Sequence, residues 1–169
     1  MKTRSDAPRA PMAREGRRRA ARVADVMSRE VIACTPATDL ARVGWLLWEG
    51  DCGALPVVEE GRVLGMITDR DLALAAAMKP RPCVEIHVGE VVTLGDVSLA
   101  RPEASLEEAL ALMERARVRR LAVVNAEGAL IGMISLSDLV RTAGATGIPA
   151  HRILSALQSL SEPRMRSTI

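Results

Sequence analysis

Two short patterns in this 169-residue chain could do chemistry. Thr68-Asp69-Arg70-Asp71 and Ser135-Leu136-Ser137-Asp138 each place a hydroxyl at the end of an aliphatic run and a carboxylate three residues later. Where a strand ends and a helix begins, the hydroxyl and the unpaired backbone N–H groups sit at a positive helix terminus, which favours a phosphate. The carboxylate can accept both hydroxyls of a ribose, while a flat base slots between aliphatic strands. On this reading Thr68 with Asp71, and Ser135 with Ser137 and Asp138, anchor two related sites. The same residues also read as ordinary helix caps, the hydroxyl taking one orphan N–H and the carboxylate favouring the positive end. Capping leaves Arg119 and Arg120 without a role, and Arg117 adds to that basic cluster. Asp69 sets a phosphate-repelling carboxylate beside the first pattern and Leu136 replaces it in the second, so the Asp138 site is expected to bind if only one does.

The elements that must position these residues come from an internal repeat. A shift of 66 places lays Thr35–Leu40 on Arg101–Leu106 and Leu55–Val58 on Leu121–Val124; one inserted residue later, Gly61–Thr68 falls on Gly128–Ser135. Each unit begins with a short apolar strand (31–34; 97–99) and a proline-containing turn. A helix follows, opened in the second copy by the capping box Ser105-Leu106-Glu107-Glu108. Two aliphatic runs then flank a glycine turn (55–58 with 63–67; 120–124 with 129–134), and a last helix starts at once (69–78; 136–143). The order β-α-β-β-α, given twice, is an α/β (α+β) architecture. The expected boundaries are a basic tail at 1–22, unit 1 at 23–80, a linker at 81–87, unit 2 at 88–145, and a C-terminal helix and tail at 146–169.

Composition narrows the functions available. Trp45 and Trp48 are the only aromatics, so the core is aliphatic and stacking several bases on aromatic platforms is excluded. Residues 1–22 hold eight Lys or Arg against Asp6 and Glu15, while the rest has an acidic excess. Such a tail buries too little to order itself in isolation; it is a solubilising segment or an arm for nucleic acid or an acidic partner. Cys34, Cys52 and Cys83 form no C-x-x-C pair, which fits a reducing compartment, and no apolar run approaches a membrane span. A cytoplasmic protein is expected. His87 and His151 lack metal-ligand spacing, and no nucleophile elbow, P-loop or dinucleotide fingerprint occurs, so no metal, no required cofactor and no enzyme activity are expected.

Val23-Ala24-Asp25-Val26-Met27, Gly53-Ala54-Leu55-Pro56-Val57-Val58 and Gly65-Met66-Ile67-Thr68-Asp69-Arg70-Asp71-Leu72, with their second copies 118–124 and 132–139, resemble a tandem CBS-domain pair, the Bateman module. The resemblance implies two units about a pseudo-twofold axis, clefts between them, a regulatory role, an adenosine-type ligand (AMP, ADP, ATP or S-adenosylmethionine), and a homodimer acting on a protein partner. It also implies that the opposite copy's strand starts supply base contacts. Ile32, Cys52, Gly53 and Ala54 would then face the Asp138 site, Ser98, Val118 and Arg119 would face the Asp71 site, and Arg119 and Arg120 would meet phosphate. The alternative is a structural interaction module with no ligand, acting through its dimer surface or its tail.

Overall fold

The computed structural model describes residues 21–145 and 147–162; residues 1–20, nearly all of the expected basic tail, lie outside the described residues, as do 146 and 163–169. Arg22, the last residue of that tail, already bridges to Ser105.

Two β-hairpins carry the fold. Strands β1 (Ala54–Glu59) and β2 (Arg62–Thr68) run antiparallel around Glu60-Gly61, both at positive φ, which Gly61 adopts without a Cβ clash. β4 (Arg120–Val124) and β5 (Leu130–Ser135) repeat the pairing with a longer turn, closed by the Ala129 N–H donating to Asn125 Oδ1 at 2.8 Å. The first strand expected in each unit is shorter than its apolar run. It is one parallel bridge, Cys34 to Val57, in unit 1, and β3 (Leu99–Ala100) beside Ala122 and Val123 in unit 2. Pro36 and Pro102 follow within two residues, and a proline cannot donate to a ladder.

Each unit packs two helices on its hairpin. In unit 1 these are α2 (Leu40–Glu49), whose cap Asp39 accepts from the Arg42 N–H at 2.9 Å, and α3 (Asp69–Met78). In unit 2 they are α4 (Leu106–Ala116) and α5 (Leu136–Arg141). The mixed helix-and-strand repeat is thus the β-α-β-β-α order expected.

The segment leading into each unit packs on the other one. Helix α1 (Val23–Val26) donates Val23 N–H to the Ala104 carbonyl at 2.9 Å and Ala24 N–H to Pro102 at 3.0 Å. The 3-10 turn Val88–Glu90 makes the same bonds on unit 1, from Val88 to Thr38 and from Gly89 to Pro36, both at 2.9 Å. Val23 and Met27 accordingly lie in the core with Leu110, Met113 and Ile134, while Ile86 and Val88 lie with Leu40, Leu55 and Ile67. Ile86, inside the expected linker, is a fully buried core residue. A third cluster around Val63, Ala122 and Val124 joins the hairpins, and Leu130 N–H donates to the Gly61 carbonyl at 3.2 Å. Units of this size without Phe or Tyr bury too little apolar area to stand alone; the exchange and the seam supply the missing burial.

A last helix, α6 (Ala150–Ser161), lies on α4 and α5 and adds Ile153 and Ala156 to the core of unit 2. Arg152 ties it down, donating to Glu107 at 2.7 Å and to Glu114 at 3.0 Å. In unit 1 the 3-10 turn Cys83–Glu85 packs on α2, and among the described residues Trp48 stays 79% and Met78 78% exposed.

Candidate functional site

Both hydroxyl–carboxylate patterns are capping boxes. Asp71 N–H donates to Thr68 Oγ1 at 3.2 Å, while Asp71 Oδ2 accepts from the Thr68 N–H at 2.9 Å and its hydroxyl at 2.7 Å. Asp138 does the same with Ser135, at 3.2, 2.8 and 2.6 Å. The match follows from sequence: an extended strand residue with a hydroxyl, three residues before a carboxylate, satisfies the orphan N–H groups of the helix it opens.

The strand starts sit with the motif of their own copy. An antiparallel hairpin puts the beginning of its first strand opposite the end of its second, so Ala54 faces Thr68 and Arg120 faces Ser135. Asp69 N–H donates to the Gly53 carbonyl at 3.2 Å, and Leu136 N–H to the Arg119 carbonyl at 2.8 Å. Ile32 and Cys52 stand beside Gly50 in unit 1. Val118 N–H bonds Met113 within unit 2, and half-buried Ser98 leads into β3. These contacts hold Ile32, Cys52, Gly53 and Ala54 in unit 1 and Val118 and Arg119 in unit 2, whereas the resemblance implies that Ile32, Cys52, Gly53 and Ala54 face Asp138 and that Ser98, Val118 and Arg119 face Asp71.

One side chain does cross. A Cβ built on Gly53 would lie 3.0 Å from Asp69 Oδ2, 3.4 Å from Arg120 Nη1 and 3.6 Å from Arg120 Nη2. Gly53 is thus closely covered by a carboxylate of its own unit and a guanidinium of the other. Arg117 does not join this cluster; it caps α4 at φ 52° and donates to the Glu162 carbonyl at 2.9 Å. Ser137 is exposed on α5.

Beside Asp71 an open groove of about 420 Å³ runs along α3, lined also by Leu74, Met78, Lys79 and Glu90. Glu90 is held down to about pKa 2 by the His87 backbone N–H and then by Arg81, so it stays ionised. Burial pushes the Cys34 thiol up to about 11, which makes it an inert packing residue.

Sequence reasoning missed an ion pair. Asp138 is 7% exposed, and its Oδ1 accepts from Arg141, whereas Asp71 Oδ1 has no protein partner among the described residues. Laying Asp71 on Asp138 puts Leu74 on Arg141, and that alignment could have found the difference.

Comparison with known proteins fits this geometry. The family model described as "CBS domain" matches residues 23–77 and 88–144. The chain is 37% identical over 117 residues, 69% of its length and 81% of the relative's, to the CBS domain-containing protein YhcV of Bacillus subtilis (strain 168). It is similar in structure to CBSX2 in complex with AMP, at TM-score 0.60 and 27% identity, covering 72% of this chain and 94% of that one. The CBS domain pair of protein MJ0100, in complex with 5'-methylthioadenosine and S-adenosyl-L-methionine, shares the fold at TM-score 0.66 and 22% identity, covering 73% and 95%.

Proposed function

The chain belongs to the CBS domain family, with two copies in tandem, and on that premise we propose that it is a regulatory module binding an adenosine-type ligand, AMP, ADP, ATP or S-adenosylmethionine, between its copies. Ligand binding then changes what a partner protein meets. The observation that carries the reading is the setting of Gly53, whose missing side chain lets Asp69 of its own copy and Arg120 of the other approach the same point, a junction of opposite charges between the copies. A ligand that engages this junction touches both units and favours one arrangement of them, which is the requirement for coupling. The AMP complex of CBSX2 supports the ligand class.

We assign Thr68, Asp71, Ile32, Cys52, Gly53 and Ala54 to one site and Ser135, Ser137, Asp138, Ser98, Val118 and Arg119 to the other, with Arg120 between them. The chain is read as a regulator and not as an enzyme, which its match to a relative named for CBS domains supports. A homodimer is part of the reading, supported by the exposed Trp45 and Trp48 on α2; a cytoplasmic setting is supported by the free thiols of Cys34, Cys52 and Cys83.

Calorimetry with AMP, ADP, ATP and S-adenosylmethionine tests the proposal, together with thermal melting. A native-state ligand at a hundredfold its Kd stabilises by about 2.7 kcal/mol. A melt unmoved by all four ligands would instead favour a structural interaction module. Light scattering on the wild type and Trp48→Glu tests the dimer; a monomeric wild type sinks that part.

A further inference from the structure

The two copies are not equivalent where a ligand would sit. Aligned on the repeat, Leu74 stands opposite Arg141, Gly53 opposite Arg119 and Ala54 opposite Arg120. Asp71 and Asp138 cap their helices with the same Oδ2 bonds, so the difference lies in the other oxygen. Asp71 Oδ1 has no protein partner among the described residues and its residue borders the groove along α3. Asp138 Oδ1 is taken by Arg141, and the residue is buried. Leu74 cannot make that bond.

Resting on the ligand-binding reading above, we propose that the clefts have different duties: the Asp71 cleft takes the adenosine ligand, and Arg141 keeps the Asp138 cleft closed. The sequence expectation that favoured Asp138 is reversed by this proposal. The Arg141 bond to Asp138 is charged on both sides, whereas a ribose diol brings only neutral donors, so a diol must break an ion pair to bind there. Binding at Asp138 must wait for the ion pair to open, and apparent affinity falls by the fraction of molecules in which it is open. Arg141 is thus a specificity-determining residue that touches no ligand. Its side chain is 73% exposed, so replacing it leaves the core untouched.

Calorimetry on the full chain with AMP, and separately with S-adenosylmethionine, decides the matter. The expected stoichiometry is one ligand per chain, weakened by about tenfold or more in Asp71→Asn, which loses a charge-assisted acceptor. Arg141→Leu, which copies Leu74, is expected to raise the stoichiometry to two, and Arg141→Leu with Asp138→Asn to return it to one. If Asp71→Asn does not fold, the Arg141→Leu stoichiometry decides alone. Two ligands bound by the wild type, binding lost only in Asp138→Asn, or Arg141→Leu remaining at one would overturn the inequality while leaving the ligand-sensing function standing. No heat from either ligand overturns both.

Discussion

Gly132 meets the Met27 side chain so closely that a Cβ there would lie 2.7 Å from Met27 Sδ and 2.9 Å from the Ser28 carbonyl oxygen. Its counterpart Gly65 takes Val92 at 3.0 Å, so each hairpin seats the lead-in segment of the other unit on a glycine. Methionine can bend away, but the Ser28 carbonyl is backbone, held by reciprocal 2.9 Å bonds to Met133. Gly132→Ala is therefore expected to destabilise by about 1–3 kcal/mol, the range for overpacking. Gly44→Ala is the control. It lies inside α2 with Leu72 at an ordinary 3.4 Å, so it is expected to be neutral or to stabilise by up to about 1 kcal/mol. Equal denaturation midpoints for the two variants would refute the glycine seat.

The clamp on α6 has a pH signature. The hydrogen bond from Arg152 holds the Glu114 carboxyl below its ordinary value of 4.5. A carboxylate with a depressed folded pKa contributes stability that is present above its unfolded pKa and lost as pH falls through the folded one. The thermal midpoint of the wild type is therefore expected to drop more steeply than that of Glu114→Gln between about pH 5 and about pH 3. Glu90 and Glu108 also have lowered pKa values, but they remain in both proteins, so the difference isolates Glu114. Parallel curves would mean that the Arg152 pair does not anchor the helix.

Hairpins, helices and caps were legible in the sequence because each rests on local chemistry: aliphatic alternation beside a turn glycine, or a hydroxyl three residues from a carboxylate. Asp69–Met78 and the site anchors Thr68 and Asp71 emerge from that chemistry alone. The exchange of lead-in segments is different, since nothing local distinguishes Val88 packing on its own unit from Val88 packing on the other. The repeat named the strand starts, and the hairpin register places Ala54 beside Thr68 in the same copy. Arg120 reaching Gly53 depends on how the units meet, which no single-unit pattern encodes.

Asp69 should discriminate among ligands by charge. Its Oδ2 lies close against Gly53 at the junction of the copies and opposes a phosphate brought there, while a sulfonium or ammonium group would welcome it. A like charge at this range in a partly wet cleft costs about 1 kcal/mol, or roughly fivefold in affinity. Asp69→Asn is expected to tighten AMP by about that factor and to leave S-adenosylmethionine unchanged or weaker. Calorimetry of both ligands on both proteins checks it; AMP weakened by the substitution would place the phosphate elsewhere.

Cys52 reports on the cleft without mutation. It is half-buried immediately before Gly53, whereas Cys34 is 4% exposed with its thiol pushed up to about 11. Only the thiolate alkylates, so iodoacetamide at neutral pH is expected to spare Cys34 in the native protein and modify Cys52 and the half-buried Cys83. Saturating AMP or S-adenosylmethionine in the cleft should then slow Cys52 several-fold while Cys83, in the turn Cys83–Glu85, keeps its rate. Peptide mass spectrometry over time separates the three. Equal slowing at Cys52 and Cys83 would mean that ligand tightens the whole fold and does not cover the strand start, and Cys52 unaffected by a ligand that binds would remove it from the site.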